Sequence, residues 1–368
     1  MPLPRLSVLA WPAAAVLSLA ALAATDPAAA GSVACRLAPV LAFAAGMSVL
    51  VNLAARQGVF ETLAAWIDGA RCPRALFLCL CVAVTAFLSL DTTAIMLTPL
   101  AVALARRNGL SPVAMALSVV WIANLASLPL PVSNLSNLLA LPAFGGTYAF
   151  LARAWAPALA GIGVAVAASL AATSLHTGRP EEAQAGHRGA PRATLAVLGC
   201  TVVALLTPVP YWVTSTLAAA AMAAVSGVVK RGNMRRDLVP WQALALVVAV
   251  SCAAELLPPL PAQGALPLPA QGALPLPLAG AVLANLINNL PAYLLLEPAD
   301  ASARMQLLIG VNLGPLVTPW ASLATLLWHD QLRRTGVRVS WRLYASCGLI
   351  LAPVAVTLAT LALPLSGD

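Results

Sequence analysis

The chain has 368 residues, 61% of them hydrophobic and 9% charged, with a mean hydropathy of +0.90. That balance excludes a soluble globular domain and predicts a polytopic membrane protein. The net charge of +8 does not point to nucleic acid, because the basic residues lie mostly in short loops between apolar runs, where they act as orientation signals. The seven cysteines lie mostly inside apolar runs, where a thiol behaves as a small hydrophobe, and imply no disulfide framework.

The first apolar run, Val8 to Ala24, follows Arg5. Small residues from Ala23 to Ala30 would suit a signal peptide, but the run is read as a retained first helix with the N-terminus in the cytoplasm. Residues 8–24 are expected to cross outward and 36–55 to return, delivering Arg56 to the inside. Val59 to Ala70 carries Glu61 and Asp68 and is too short to span, so it reads as an amphipathic interfacial segment.

Arg74 and the Arg106–Arg107 pair must both face the cytoplasm, so residues 75–105 are expected to enter and leave on one side as a hairpin. Its tip is the polar cluster Ser89-Leu90-Asp91-Thr92-Thr93. Residues 111–144 then cross outward through a helix broken at Pro129 and Pro131, 148–175 return, and 176–192 form a basic cytoplasmic linker. A proline removes a backbone donor and clashes with the preceding turn, so paired prolines unwind a helix.

The second half repeats the plan upside down. Spans at 193–208, 211–229 and 238–256, with Lys230, Arg231, Arg235 and Arg236 inside, bring the chain to an outer face marked by Glu255, Glu297 and Asp300. Residues 278–297 make a second hairpin with its tip at Ile287-Asn288-Asn289-Leu290-Pro291, and 304–332 cross inward through a helix broken at Pro315 and Pro319. A last span, 343–363, leads outward. Between these elements an octamer, Leu260 to Pro267, recurs unchanged as Leu268 to Pro275. It reads as a replication-slippage record in an external loop, without chemistry.

The expected fold is therefore an all-α polytopic membrane protein of about nine spans, residing in the cell inner membrane. Residues 1–175 and 193–368 form two inverted repeats, each with one re-entrant hairpin and one discontinuous helix. Lipid cannot satisfy unwound backbone, so paired breaks in two halves point to a transporter's binding site.

Asp91 is the sharpest candidate, because a carboxylate this deep costs roughly 2.5–3.5 kcal/mol to insert and must pair, titrate or face a cavity. One reading makes it a proton acceptor or cation site beside Thr92 and Thr93; the other makes it a structural cap. Around the first break, Ser127, Ser133, Asn134 and Asn137 offer neutral donors and acceptors, suited either to a neutral hydroxylated substrate or to interhelical bonding. Asn288 and Asn289 at the second tip, with Gly314, Thr318, Ser322 and Thr325 at the second break, are the opposing groups. Asn124 and Asn312 read equally as supports or as packing residues. Cys79 and Cys81, two apart, fall on different helix faces and do not make a thiolate pair. His176, His187 and His329 are too scattered for a metal site, and no metal or other cofactor is expected.

At these elements the sequence resembles the arsenite/antimonite efflux permeases of the ion-transporter superfamily, whose relatives include dicarboxylate and citrate carriers. The resemblance is carried by Ala126-Ser-Leu-Pro-Leu-Pro-Val-Ser-Asn-Leu-Ser-Asn137, by Asn288-Asn-Leu-Pro291, and by Leu313-Gly-Pro-Leu-Val-Thr-Pro-Trp-Ala-Ser-Leu-Ala-Thr-Leu-Leu-Trp328. It implies arsenite or antimonite efflux by proton antiport, with Asp91 coupling and arsenite, antimonite and protons as partners within the lipid bilayer. It also leaves room for a separate ATPase subunit and for a homodimer. The chain departs from the family in having Leu90-Asp91 where an Asn-Asp pair is usual, and Asn124 and Asn312 where acids are common. Those departures bear on the coupling ion and the exact substrate.

An organic or inorganic anion carrier on the same scaffold is the alternative, and a degenerate, non-transporting paralogue is another. An intramembrane hydrolase would need paired deep carboxylates or a Ser with a membrane His, which the sequence does not offer. No Gly-x4-Gly-Lys phosphate loop occurs, so an ion gradient is the expected drive.

Overall fold

A computed structural model describes residues 7–174, 191–205, 207, 209–227, 238–239, 241–256, 275–298 and 300–366. Most of the basic linker 176–192, the Lys230–Arg236 loop, His176, His187 and all of the octamer repeat but Pro275 lie outside the described residues. Among the described residues the structure is helical, with no strand.

In chain order the helices are α1 (Ser7–Thr25), α2 (Pro27–Arg56), α3 (Val59–Asp68), α4 (Pro73–Leu88), α5 (Leu90–Thr92), a π-helical turn (Thr93–Leu97) and α6 (Thr98–Arg107). Then come α7 (Pro112–Leu125), α8 (Leu135–Ala140) and α9 (Thr147–Ala172). The second half comprises α10 (Arg192–Leu205), α11 (Tyr211–Ser226), α12 (Trp241–Leu256), α13 (Leu276–Ile287), α14 (Asn289–Leu296), α15 (Ala301–Leu313), α16 (Leu323–Thr335) and α17 (Trp341–Ala362).

Local chemistry sets many of these limits. Asp26, Ser111, Asp300 and Ser340 cap α2, α7, α15 and α17 by accepting from Ala29, Ala114, Ala303 and Leu343 N–H, satisfying donors that the first turn leaves open. Pro27 and Pro112 occupy first-turn positions where no donor is lost. Gly336, at φ 76°, ends α16 in the left-handed conformation that costs glycine little.

Among the described residues three helices are long and apolar enough to cross a membrane unaided: α2, α9 and Trp341–Leu365. Shorter apolar stretches of 10–17 residues accompany them, and the expectation of about nine spans depends on these pieces. Large apolar side chains such as Leu17, Leu159, Leu217 and Ile350 stand exposed on the helices, as lipid-facing positions do.

α2 packs against α11, and α1 against α12. Gly46 lets α2 approach Ser215 closely. A second group packs α7 and α17 on α9, and α13 on α15. Its centre is α7 and α15: Met115 to Leu125 and Leu307 to Leu313 are buried on every face, which is why neither shows an amphipathic stripe. An ion-pair cluster ties the two groups together. Glu297 after α14 accepts from Arg36 of α2 and Arg304 of α15, both at 2.5 Å, and from Tyr293 at 2.9 Å.

Candidate functional site

Most of the candidate polar residues lie at two positive-φ helix junctions and two helix breaks. α4 stops at Ser89 (φ 129°, ψ 160°) and α13 stops at Asn288 (φ 100°, ψ 151°). These are the only non-glycine residues with positive φ among the described residues, a conformation that persists only where surrounding structure enforces it. Each then caps the helix that follows. Ser89 Oγ accepts from Thr92 N–H, and Asn288 Oδ1 from Leu290 N–H, both at 3.3 Å.

The first tip is held by hydroxyls. Thr85 and Thr93 hydrogen-bond at 2.8 Å across the turn, and Ser89 and Thr92 at 3.1 Å. The cap at this tip is Ser89, and Asp91 takes no part in it; Asp91 Oδ1 is buried without a hydrogen-bond partner.

Between α7 and α8 the chain unwinds from Ala126 to Asn134 apart from a short 3-10 turn at Pro131–Ser133. Its loose carbonyls are gathered by its own side chains. Ser133 Oγ donates to Ser127 O (2.7 Å) and lies 2.5 Å from Leu130 O, while Asn137 Nδ2 donates to Ser127 O (2.9 Å) and Leu130 O (3.0 Å). Ser127 Oγ donates to Asn124 O at 2.7 Å. Much of the polarity in this motif therefore satisfies the unwound backbone.

The second break, Gly314 to Ser322, is satisfied from outside. Asn285 of α13 donates to Gly314 O (2.8 Å), accepts from Val317 and Thr318 N–H (3.0 and 3.1 Å), and its carbonyl takes the Thr318 hydroxyl (2.7 Å). Asn288 Nδ2 donates to Trp320 O, and Asn289 N–H to Ala321 O, both at 2.8 Å. The α13–α14 junction and the second break are thus bonded to one another. Further along, Thr325 Oγ1 meets Tyr344 OH at 3.1 Å, and Ser322 Oγ is buried without a partner.

A buried amide, Asn312, joins the two breaks' neighbourhoods across the halves. Asn312 Oδ1 accepts from Asn134 Nδ2 (2.9 Å) and Ser136 Oγ (2.7 Å), and its Nδ2 donates to Asn137 Oδ1 (2.6 Å), all in the buried interior. Trp328 of α16 adds a second link by donating to Ala116 O of α7 at 2.7 Å.

A cavity of about 760 Å³ opens beside the first tip. Its polar side chains are Ser48, Asn52, Ser89, Asp91, Thr92 and Gln242. Val132 and Leu135 of the first break and Leu323 and Leu327 of α16 close other walls. Asp91 is the only ionisable side chain lining it, and no Lys, Arg or His does so among the described residues.

The structure thus brings Asp91 and Thr92 into this cavity, with Thr93 turned to Thr85 behind them. It gathers Ser127, Ser133, Asn134 and Asn137 around the first break, and Asn288, Asn289, Gly314 and Thr318 around the second, but these two clusters do not line the cavity. Sequence reasoning overlooks Asn285, Ser136, Ser48, Asn52 and Gln242. A lone amide in an otherwise apolar helix is the one signal for Asn285, and Asn52 stands out in α2 for the same reason.

Apolar helices broken at buried polar nodes, with a lone carboxylate in an adjoining cavity, define a polytopic membrane transporter. The chain belongs to the CitMHS citrate transporter family, whose profile it matches over residues 5–325. It is also similar to proteins named arsenical pump membrane protein. Those of Escherichia coli strain K12 and Shigella flexneri are each 31% identical over 327 positions, covering 77% of this chain and 75% of the relative. That of Yersinia enterocolitica is 29% identical over 326 positions with the same coverage.

Proposed function

We propose that this transporter exports arsenite or antimonite from the cytoplasm in exchange for protons, by alternating access in the inner membrane with its N-terminus inside. The observation that carries the reading is the cavity itself: Asp91 is its one ionisable side chain, and no basic residue among those described lines it. A neutral trihydroxy metalloid asks for hydroxyl and amide partners and no fixed positive charge. A single carboxylate can take up a proton in one facing state and release it in the other.

The architecture we assign is a pair of inverted repeats, 1–175 and 193–368, with re-entrant hairpins at 75–105 and 278–297. It is supported by the similar backbone conformations of Ser89 and Asn288 and by the buried stretches 115–125 of α7 and 307–313 of α15. Thr92 and Thr93 hold the Asp91 turn. Substrate passes from the cavity toward the breaks, where Ser127, Asn134, Asn288, Asn289, Ser322 and Thr325 present polar groups. Ser133, Asn137, Gly314 and Thr318 shape the unwound backbone around them. A separate ATPase subunit and a homodimer are both compatible with this scheme.

The citrate description of the family profile favours a second reading, an organic anion carrier. A tricarboxylate would need cationic partners that this cavity does not present. The test is arsenite accumulation in a sensitive bacterial host carrying the wild type or Asp91→Asn at matched membrane abundance. Lower accumulation with the wild type alone supports efflux. Accumulation unchanged by the wild type sinks the metalloid reading and turns attention to anion transport or a non-transporting paralogue.

A further inference from the structure

The cavity beside the first tip is far larger than a trihydroxy metalloid requires. Its volume of about 760 Å³ lies within the range of sites that enclose drug-sized organic ligands. Met47, Met96, Trp241, Leu244 and Leu327 are among the apolar residues that line it. Aromatic faces attract cations, and thioether side chains adapt to ligands of varied shape.

Against that apolar wall stands one charge. Asp91 lines the cavity and its Oδ1 is buried without a hydrogen-bond partner, so the protein compensates an ionised carboxylate there incompletely. No Lys, Arg or His among the described residues lines the cavity to neutralise it. An anion would be repelled, and a strongly hydrated small cation would lose water to a mostly apolar surface. The ligand that complements both features is a large cation with its charge spread over an apolar body.

We infer that this cavity binds lipophilic organic monocations, with Asp91 as counter-charge and the exposed ring of Trp241 as its aromatic wall. This goes beyond metalloid export and does not depend on it. Binding of this kind would make such cations inhibitors or additional cargo of the transporter.

The experiment measures binding of tetraphenylphosphonium and of uncharged triphenylphosphine oxide to the purified full chain in detergent. Tetraphenylphosphonium is expected to bind saturably, and Asp91→Asn to weaken it by about tenfold or more, the loss of one desolvated charge contact. The uncharged probe is expected to stay within about twofold, which also shows that the variant is folded. Non-saturating uptake of the cation, or equal affinity in Asp91→Asn, overturns the inference. If Asp91→Asn loses both probes, Trp241→Ala decides: cation binding weakened more than binding of the uncharged probe upholds the proposal, and unchanged cation binding overturns it. Arsenite transport by the same preparation in liposomes separates the two ideas. Transport without cation binding removes this inference alone, and cation binding without transport removes the metalloid reading alone.

Discussion

Ser89 and Asn288, about two hundred residues apart in the chain and without sequence identity around them, adopt the same backbone conformation and the same capping role. Each ends an apolar helix in a φ region that favours glycine and restarts it with its own side chain. Such a likeness is what the proposed inverted repeat would produce, and its cost in backbone strain is of order 1–3 kcal/mol at each site.

Replacing either residue should separate strain from capping. Alanine keeps the strained φ and removes the cap, so Ser89→Ala is expected to lose about 1 kcal/mol, and Asn288→Ala, which also loses the bond to Trp320 O, about 1 kcal/mol more. Glycine removes the cap but relieves the strain, and Ser89→Gly should fall within about 1 kcal/mol of wild type. Thermal unfolding in detergent checks the order, glycine above alanine.

Asn312 is expected to be the costliest single amide to lose. Asn312→Ala strands Asn134, Ser136 and Asn137 in a buried interior, at about 1–3 kcal/mol for each group that finds no new partner. A drop of at least about 3 kcal/mol in unfolding free energy is anticipated, with arsenite transport lost. Asn124→Ala removes one bond, to Val120 O, and should cost about 1 kcal/mol.

Asn285→Ala leaves Gly314 O and the Val317 and Thr318 N–H groups without their side-chain partner. The second break should then detach from its hairpin. The expected result is near-complete loss of transport with retained membrane insertion, read by arsenite uptake into everted vesicles and by immunoblot of the membrane fraction.

Two glycines allow a neighbouring helix to lie against each break. A methyl at Gly348 of α17 would collide with Leu316 O, and one at Gly161 of α9 would meet Leu125 O at 2.5 Å. Both partners are backbone and cannot rotate away. Gly348→Ala and Gly161→Ala should lower thermal stability and arrest transport, whereas Gly163→Ala, which meets nothing within 4 Å, should behave as wild type.

Both breaks are legible in the sequence because Pro129 with Pro131, and Pro315 with Pro319, cannot continue a helix in an apolar run. Both tips are legible because they hold the only polar clusters in their segments. The cross-links are not. Asn312 meets Asn134 across 178 positions, and Asn285 meets Thr318 across 33; no local pattern encodes such pairings. The same blindness hides the division of labour at the first break, where Ser133 and Asn137 read as ligands but are spent on carbonyls of their own loop. Ser48, Asn52 and Gln242 become notable only once α2 and the start of α12 are folded beside the first tip.

In the proposed mechanism Asp91 exchanges protons for metalloid. Liposomes containing the purified protein and a trapped pH-sensitive dye check this when arsenite is added outside and both arsenite entry and internal pH are followed. Wild type is expected to take up arsenite while the lumen becomes more alkaline, as protons leave in exchange, and Asp91→Asn to abolish the coupled pH change. Arsenite uptake with no pH change in the wild type, or an undiminished change in Asp91→Asn, would contradict the account.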